Sequence, residues 1–125
     1  MTKKRKIAYW IFTTLLSLGM LSGGIAQVLE APQNKEGIVR LGYPVYLMTI
    51  IGVWKIVGVA AVMLPGLALA KEWAYAGFFF VLSGAAISHV AHGDPLAYTV
   101  APLALLGFTI LSWYLRPEDR RVRQE

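Results

Sequence analysis

The chain has 125 residues, 57% of them hydrophobic and 15% charged, with a formal net charge of +5 and no cysteine. A domain this small leaves much of its surface exposed, so this much apolar side chain has to be covered by lipid, and an ordinary water-soluble globule is excluded. The missing cysteines exclude disulfides, thiolate metal sites and a dithiol relay, and the basic residues gather at the chain ends rather than along one face, which argues against nucleic acid as a partner.

In chain order, Lys3-Lys4-Arg5-Lys6 precedes a first apolar run from Ile7 to about Leu29. Its end, Gly24-Ile25-Ala26, has the small-x-small pattern of a signal-peptide cleavage site, but the run is longer than a signal h-region. It also carries Gly19 and Gly23 at a spacing that lets helix backbones approach in lipid, so it reads as a packed first helix. Glu30 to Gly37 is polar with turn residues and reads as a loop. A second run covers Pro44 to Leu64 and is stopped by Pro65-Gly66. A third covers Trp73 to about His92 and a fourth Leu96 to Leu115, separated by the tight turn Gly93-Asp94-Pro95. Each run is near the roughly 20 residues needed to cross a bilayer. The expected fold is therefore all-α: one membrane domain over residues 1–125, a four-helix bundle with spans at about 7–29, 44–64, 73–92 and 96–115. No tandem repeat is visible.

Lysine and arginine counts orient the bundle. The N-terminus holds four, the loop between the second and third spans holds Lys71, and the C-terminus holds Arg116, Arg120, Arg121 and Arg123. The two connections on the opposite side carry only Lys35 and Arg40, which predicts both termini in the cytoplasm and a multi-pass protein of the cell (plasma) membrane. Aromatic residues fit the same arrangement. Tyr9, Trp10, Trp73, Tyr75, Trp113 and Tyr114 form the expected cytoplasmic belt and Tyr43, Tyr46 and Tyr98 the outer one, with Trp54 at mid-depth.

Lys55 is the remaining cation and lies roughly 15 Å from either face, at the bilayer centre. A lysine there costs about 2.5 to 3.5 kcal/mol on insertion scales, so it should face the bundle interior and meet a partner; a lysine that snorkels and only orients the bundle is the plainer alternative. Helical side chains lean toward their own N-terminus, so Lys55 leans outward while Gln27, Glu30 and His89 lean inward toward it, and Ser83 lies near its depth. Glu30 enters this pocket only if the first helix continues past Gln27; otherwise it is a helix end facing water. His89 and His92 share a helix face with Ser88 beside them and Asp94 just beyond. A metal site lacks a third well-placed ligand, His89 suits a proton or ligand role, and His92 reads as interfacial. Gly77, Gly84, Ala85 and Ser88 are small and should let neighbouring helices close in.

No phosphate loop, G-x-S-x-G or H-E-x-x-H motif is present, so no catalytic residues are assigned and the chain reads as a non-enzyme on its own. The run Leu41-Gly-Tyr-Pro-Val-Tyr46, Gly52-Val-Trp-Lys55 with Gly58 and Pro65, Lys71-Glu-Trp-Ala-Tyr-Ala-Gly77-Phe, and Ser88-His89 followed by Gly93-Asp94 resembles the DoxX-like family of small membrane proteins over roughly residues 10–115. The resemblance implies four membrane helices, with Lys55, Glu72, Trp73, Ser88 and His89 as its polar signature. It also implies a link to a terminal quinol oxidase and thiosulfate:quinone oxidoreductase, and relatives in the wider group look like chaperones of other membrane proteins. The expectation is an accessory subunit of membrane redox or respiratory metabolism. Its candidate ligand site is Lys55, His89, Ser88, Gln27 and Glu30, and its ligand is quinone-like or lipid-like. The chain contributes no cofactor or metal of its own, and its expected partners are the bilayer and a redox partner or further copies of itself. The alternatives are an assembly or interaction protein without a ligand and a small solute or proton transporter.

Overall fold

The computed structural model describes residues 2–122; Arg123, counted above among the C-terminal cations, lies outside them. The described residues form α1 (Lys3–Val28), α2 (Pro32–Arg40), α3 (Val45–Met63), α4 (Ala68–His92) and α5 (Ala97–Leu115), followed by a 3-10 turn at Glu118–Arg120. Four of these helices, α1, α3, α4 and α5, are long and apolar enough to cross a membrane, as expected. None buries more than 28% of its apolar window inside the bundle, which leaves most of each span to lipid.

Two boundaries differ from expectation. The segment read as a loop after the first span contains α2, because Pro32 occupies the first helical turn, where its fixed φ and missing N–H suit a helix start. The third span begins five residues earlier than its apolar run, at Ala68, so Lys71 and Glu72 are helical rather than loop residues. Both charges find partners there, described below.

α1 packs against α3 and α5, and α4 against α3 and α5, so the four spans form a closed ring. Arg5 donates to the Tyr114 carbonyl at 3.0 Å, which places the start of α1 and the end of α5 at one end of the bundle, the terminus end. The α3–α4 turn is at the same end, where Arg120 reaches the Val62 carbonyl at 2.7 Å. α2 and the α4–α5 turn occupy the other end.

The closest backbone approach is between α1 and α3 at Gly24 and Gly52. A Cβ at Gly52 would lie 2.8 Å from the Gly24 carbonyl oxygen, and one at Gly24 would lie 3.0 Å from that of Gly52. The Gly19/Gly23 stripe does not make this crossing. One residue turns a helix face by about 100°, so Gly19 receives the Leu105 side chain from α5 while Gly23 lies beside the Lys55 tip. Gly77 and Gly84 on α4 bring no helix close: a Cβ at either would meet nothing within 4 Å. They open space instead.

The core sits toward the terminus end. Leu16, Met20, Val59, Val62, Tyr75, Phe78 and Leu82 form one buried cluster, backed by Leu105, Leu106 and Phe108. Tyr9 and Tyr75, expected in the interfacial belt, are buried in this half, 0% and 3% exposed. A polar chain explains Tyr75: its hydroxyl is 2.8 Å from Ser112 Oγ, which is 2.5 Å from Thr13 Oγ1. Three helices thereby satisfy one another's buried hydroxyls.

Candidate functional site

The half of the bundle away from the core is open. Between α1, α2, α3, α4 and the start of α5 lies a cleft of about 800 Å³ whose lining includes Gln27, Arg40, Tyr43, Lys55, Ser88, His89 and Tyr98. Four of the five expected site residues, Lys55, His89, Ser88 and Gln27, thus share one space. Glu30 is not brought to it. α1 ends at Val28, and Glu30 takes the left-handed turn that closes the helix, at φ 52°, with Ala31 N–H donating to the Ala26 carbonyl at 2.9 Å. Its side chain is exposed. Ser83 turns back to its own helix, donating to the Phe80 carbonyl at 3.2 Å.

At the α2 end of the cleft, the left-handed Gly93 lets the chain reverse after α4, with Asp94 N–H donating to the His89 carbonyl at 3.0 Å. The Asp94 side chain is thereby brought back alongside α4 and is 5% exposed. Arg40 donates to one of its oxygens, and His89 Nδ1 lies 2.6 Å from the other. These hydrogen bonds, first that of Arg40 and then that of His89, hold the Asp94 carboxyl at a pKa of about 2. The same contact raises the Arg40 pKa. An ionised carboxylate accepts hydrogen bonds only, so His89 Nδ1–H donates to Asp94, which fixes the orientation of the ring. His92, expected at the interface, contributes to the fastening of α2: its Nε2 is 2.8 Å from the Arg40 carbonyl. Tyr43 OH is 2.6 Å from Ser88 Oγ, which also donates to the Gly84 carbonyl at 2.8 Å.

Arg40, Tyr43 and Tyr98 also line the cleft, and Asp94 joins Arg40 to His89 at its rim. From the sequence Arg40 was only a counted charge, Tyr98 only part of the outer belt, Tyr43 part of the belt and of the family-like run, and Asp94 a carboxylate just beyond the two histidines. The signal was in the turns: Tyr43 lies in the Leu41-Gly-Tyr-Pro run and Asp94 follows Gly93. Among the described residues no group of three metal-ligating side chains is gathered, so the two histidines and Asp94 serve one another and α2.

Lys55 sits deeper. Ion pairs among the described residues join Arg40 to Asp94 and Arg116 to Glu72, His89 and His92 also lie against Asp94, and none of these contacts includes Lys55. Its Nζ lies near Gly23, 3.8 Å from where a Cβ there would stand. Nearby on α1, Gln27 packs its Cβ over Gly52, and its side-chain oxygen is buried without a hydrogen-bond partner. Lys55 also lines a second space, a groove of about 610 Å³ between α3 and α4 whose other lining residues are all apolar, Trp54, Gly58, Trp73, Gly77 and Phe78 among them. Trp73 is 75% exposed and Trp54 63%, so the groove faces lipid. Gly58 seats the Phe78 ring, leaving no room for a Cβ.

Glu72 of the expected family signature acts at the terminus end, as does its neighbour Lys71. Glu72 lies 2.8 Å from the Arg116 guanidinium and accepts from Trp113 Nε1 at 2.9 Å. Lys71, expected as a loop charge, is buried, and its ammonium donates to the carbonyls of Ala61 (2.9 Å), Leu64 and Gly66 (2.5 Å).

Four membrane-length helices enclosing a polar cleft, with a lysine at mid-depth, define a small multi-pass membrane protein with one candidate ligand site. The model of the DoxX-like family matches residues 11–112, most of the chain, and the chain belongs to that family. No curated protein and no solved structure matches it.

Proposed function

We propose that this DoxX-like protein is an accessory subunit of membrane redox or respiratory metabolism that takes a quinone-like or lipid-like ligand. The observation carrying the proposal is the place of Lys55, an ion-unpaired amine where a polar cleft meets an apolar groove. Ligand sites of this kind are mostly apolar, with a few convergent polar groups that fix orientation. Lys55 and Gln27 meet the ligand's polar end, and Ser88 and His89 line its approach from the α2 end. Glu30 stands outside the lining and takes no part. In this reading the protein lies in the plasma membrane with both termini in the cytoplasm, following the distribution of lysine and arginine. The packed core and the Thr13–Ser112–Tyr75 chain fill the half of the bundle below the cleft, which favours a one-sided binding site over a conduit through a single chain.

The test is native mass spectrometry of protein released gently from its own membranes, beside respiration of cells lacking the gene. A small molecule carried by wild type and lost from Lys55→Met, with impaired respiration on deletion, is the expected result. An empty protein together with unchanged respiration would overturn the proposal. The reading as an assembly protein draws on the lipid-facing groove between Trp54 and Trp73, and it gains if a partner protein co-purifies equally with wild type and Lys55→Met.

A further inference from the structure

The charges around the cleft point to a narrower ligand class. No carboxylate side chain lines the cleft, whose cations are Arg40 and Lys55. Arg40 is neutralised by Asp94, and Asp94 is in turn fully engaged by Arg40 and His89. Among the described residues one cation of the cleft, Lys55, is left without a counter-charge, at the depth where water is scarcest. From it the apolar groove runs along α4 between Leu69 and Val81, about 18 Å at 1.5 Å per residue, close to the depth of one bilayer leaflet. A volume of about 610 Å³ spread over that length holds one alkyl chain rather than two.

We infer that the occupant is a single-chain amphiphile with a compact anionic headgroup, a carboxylate or a phosphate monoester. Its head binds Lys55 and points into the cleft, and its tail lies in the α3–α4 groove toward the terminus end. This rests on the proposed reading that the cleft binds a ligand, and it narrows the ligand by charge. An anionic headgroup brings the negative charge that the cleft lacks, whereas a neutral headgroup leaves Lys55 uncompensated.

The experiment uses the full chain in phosphatidylcholine nanodiscs and native mass spectrometry, with oleate, mono-oleyl phosphate, oleyl alcohol and decylubiquinone offered at equal concentration below micelle formation. Wild type should retain oleate or the phosphate at least about tenfold over oleyl alcohol, the ratio expected of one charge-assisted hydrogen bond. Comparing the two anions identifies the headgroup. Lys55→Met should abolish the preference and Lys55→Arg should keep it. Gly77→Leu, placed where a Cβ meets nothing, should fold and lose every long-chain probe because its side chain fills the groove, which keeps the test decisive even where Lys55→Met fails to assemble. Equal retention of acid and alcohol, or a preference that survives Lys55→Met, overturns the inference. Lys55-dependent retention of decylubiquinone alone also overturns it, while leaving the broader ligand-binding reading intact. Retention of no probe overturns both.

Discussion

At the terminus end, Lys71 and Arg120 are buried and face the last carbonyls of α3. Lys71 donates to Ala61, Leu64 and Gly66, and Arg120 donates to Val62 and Met63 at 2.7 and 3.1 Å while its guanidinium lies 5.0 Å from the Trp10 ring centre. A helix leaves its final carbonyls unpaired and its C-terminus partially negative, so two cations there satisfy hydrogen bonds and the helix dipole together. Half the molecule away, Lys55 has no ion partner and faces space on two sides. A cation that completes a helix belongs to the fold. One left at mid-membrane without a counter-charge belongs to whatever enters the cleft.

The sharpest way to break this contrast is Lys71→Met. It leaves buried carbonyls without a donor, and unfolding in detergent should show a loss of about 3 kcal/mol or more. A loss under about 1 kcal/mol would mean that the carbonyls find water, and the terminus end would not be sealed as described. Gly52→Val comes next. Its Cβ would meet backbone, which cannot move aside like a side chain, so the α1–α3 crossing should lose about 2 kcal/mol, read from the same unfolding curve. Lys55→Met, by contrast, should change the stability of ligand-free protein by less than about 1 kcal/mol, because an apolar side chain of similar length replaces a charge that holds nothing in the fold. The opposite ranking of Lys55 and Lys71 would reverse their assigned roles.

The smallest effect concerns the Arg40–Asp94–His89 fastening of α2. The folded Asp94 pKa of about 2 lies below its ordinary value of 3.8, so its contribution is complete above about pH 4 and is lost as pH falls through about 2. Amide protection in α2, corrected for intrinsic exchange, should stay level from pH 8 to about 5 and then decline below about 4. Asp94→Asn should lower protection at every pH and remove that decline; an Asp94→Asn profile that still declines would assign the acid sensitivity to another group.

The four spans were legible because a bilayer imposes length and composition directly, and their bounds follow from Pro65-Gly66 and Gly93-Asp94-Pro95. Lys55, Gln27, Ser88 and His89 were legible as a group because side-chain tilt along antiparallel helices turns them toward one another from different depths. What the chain did not disclose depends on rotation about each helix axis. Adjacent Gly23 and Gly24 both lie against Lys55 but only Gly24 meets the α3 backbone at Gly52, so the crossing could not be assigned from a spacing of small residues. Tyr9 and Tyr75 have the depth of an interfacial belt but point inward. α2 was hidden by Pro32, which marks a turn and a helix start equally well. Asp94 could be read only as a carboxylate beyond two histidines, because its partner Arg40 lies 54 residues earlier in the chain.

The central claim is that Lys55 holds a ligand and Lys71 holds the fold. It is tested most directly by the unfolding midpoint of wild type and Lys55→Met, each measured as isolated and after exhaustive delipidation. A ligand bound only to the native state raises the midpoint by mass action. The account predicts a clear fall for wild type on delipidation and a smaller one for Lys55→Met. Equal falls in the two proteins, or none in wild type, would contradict it.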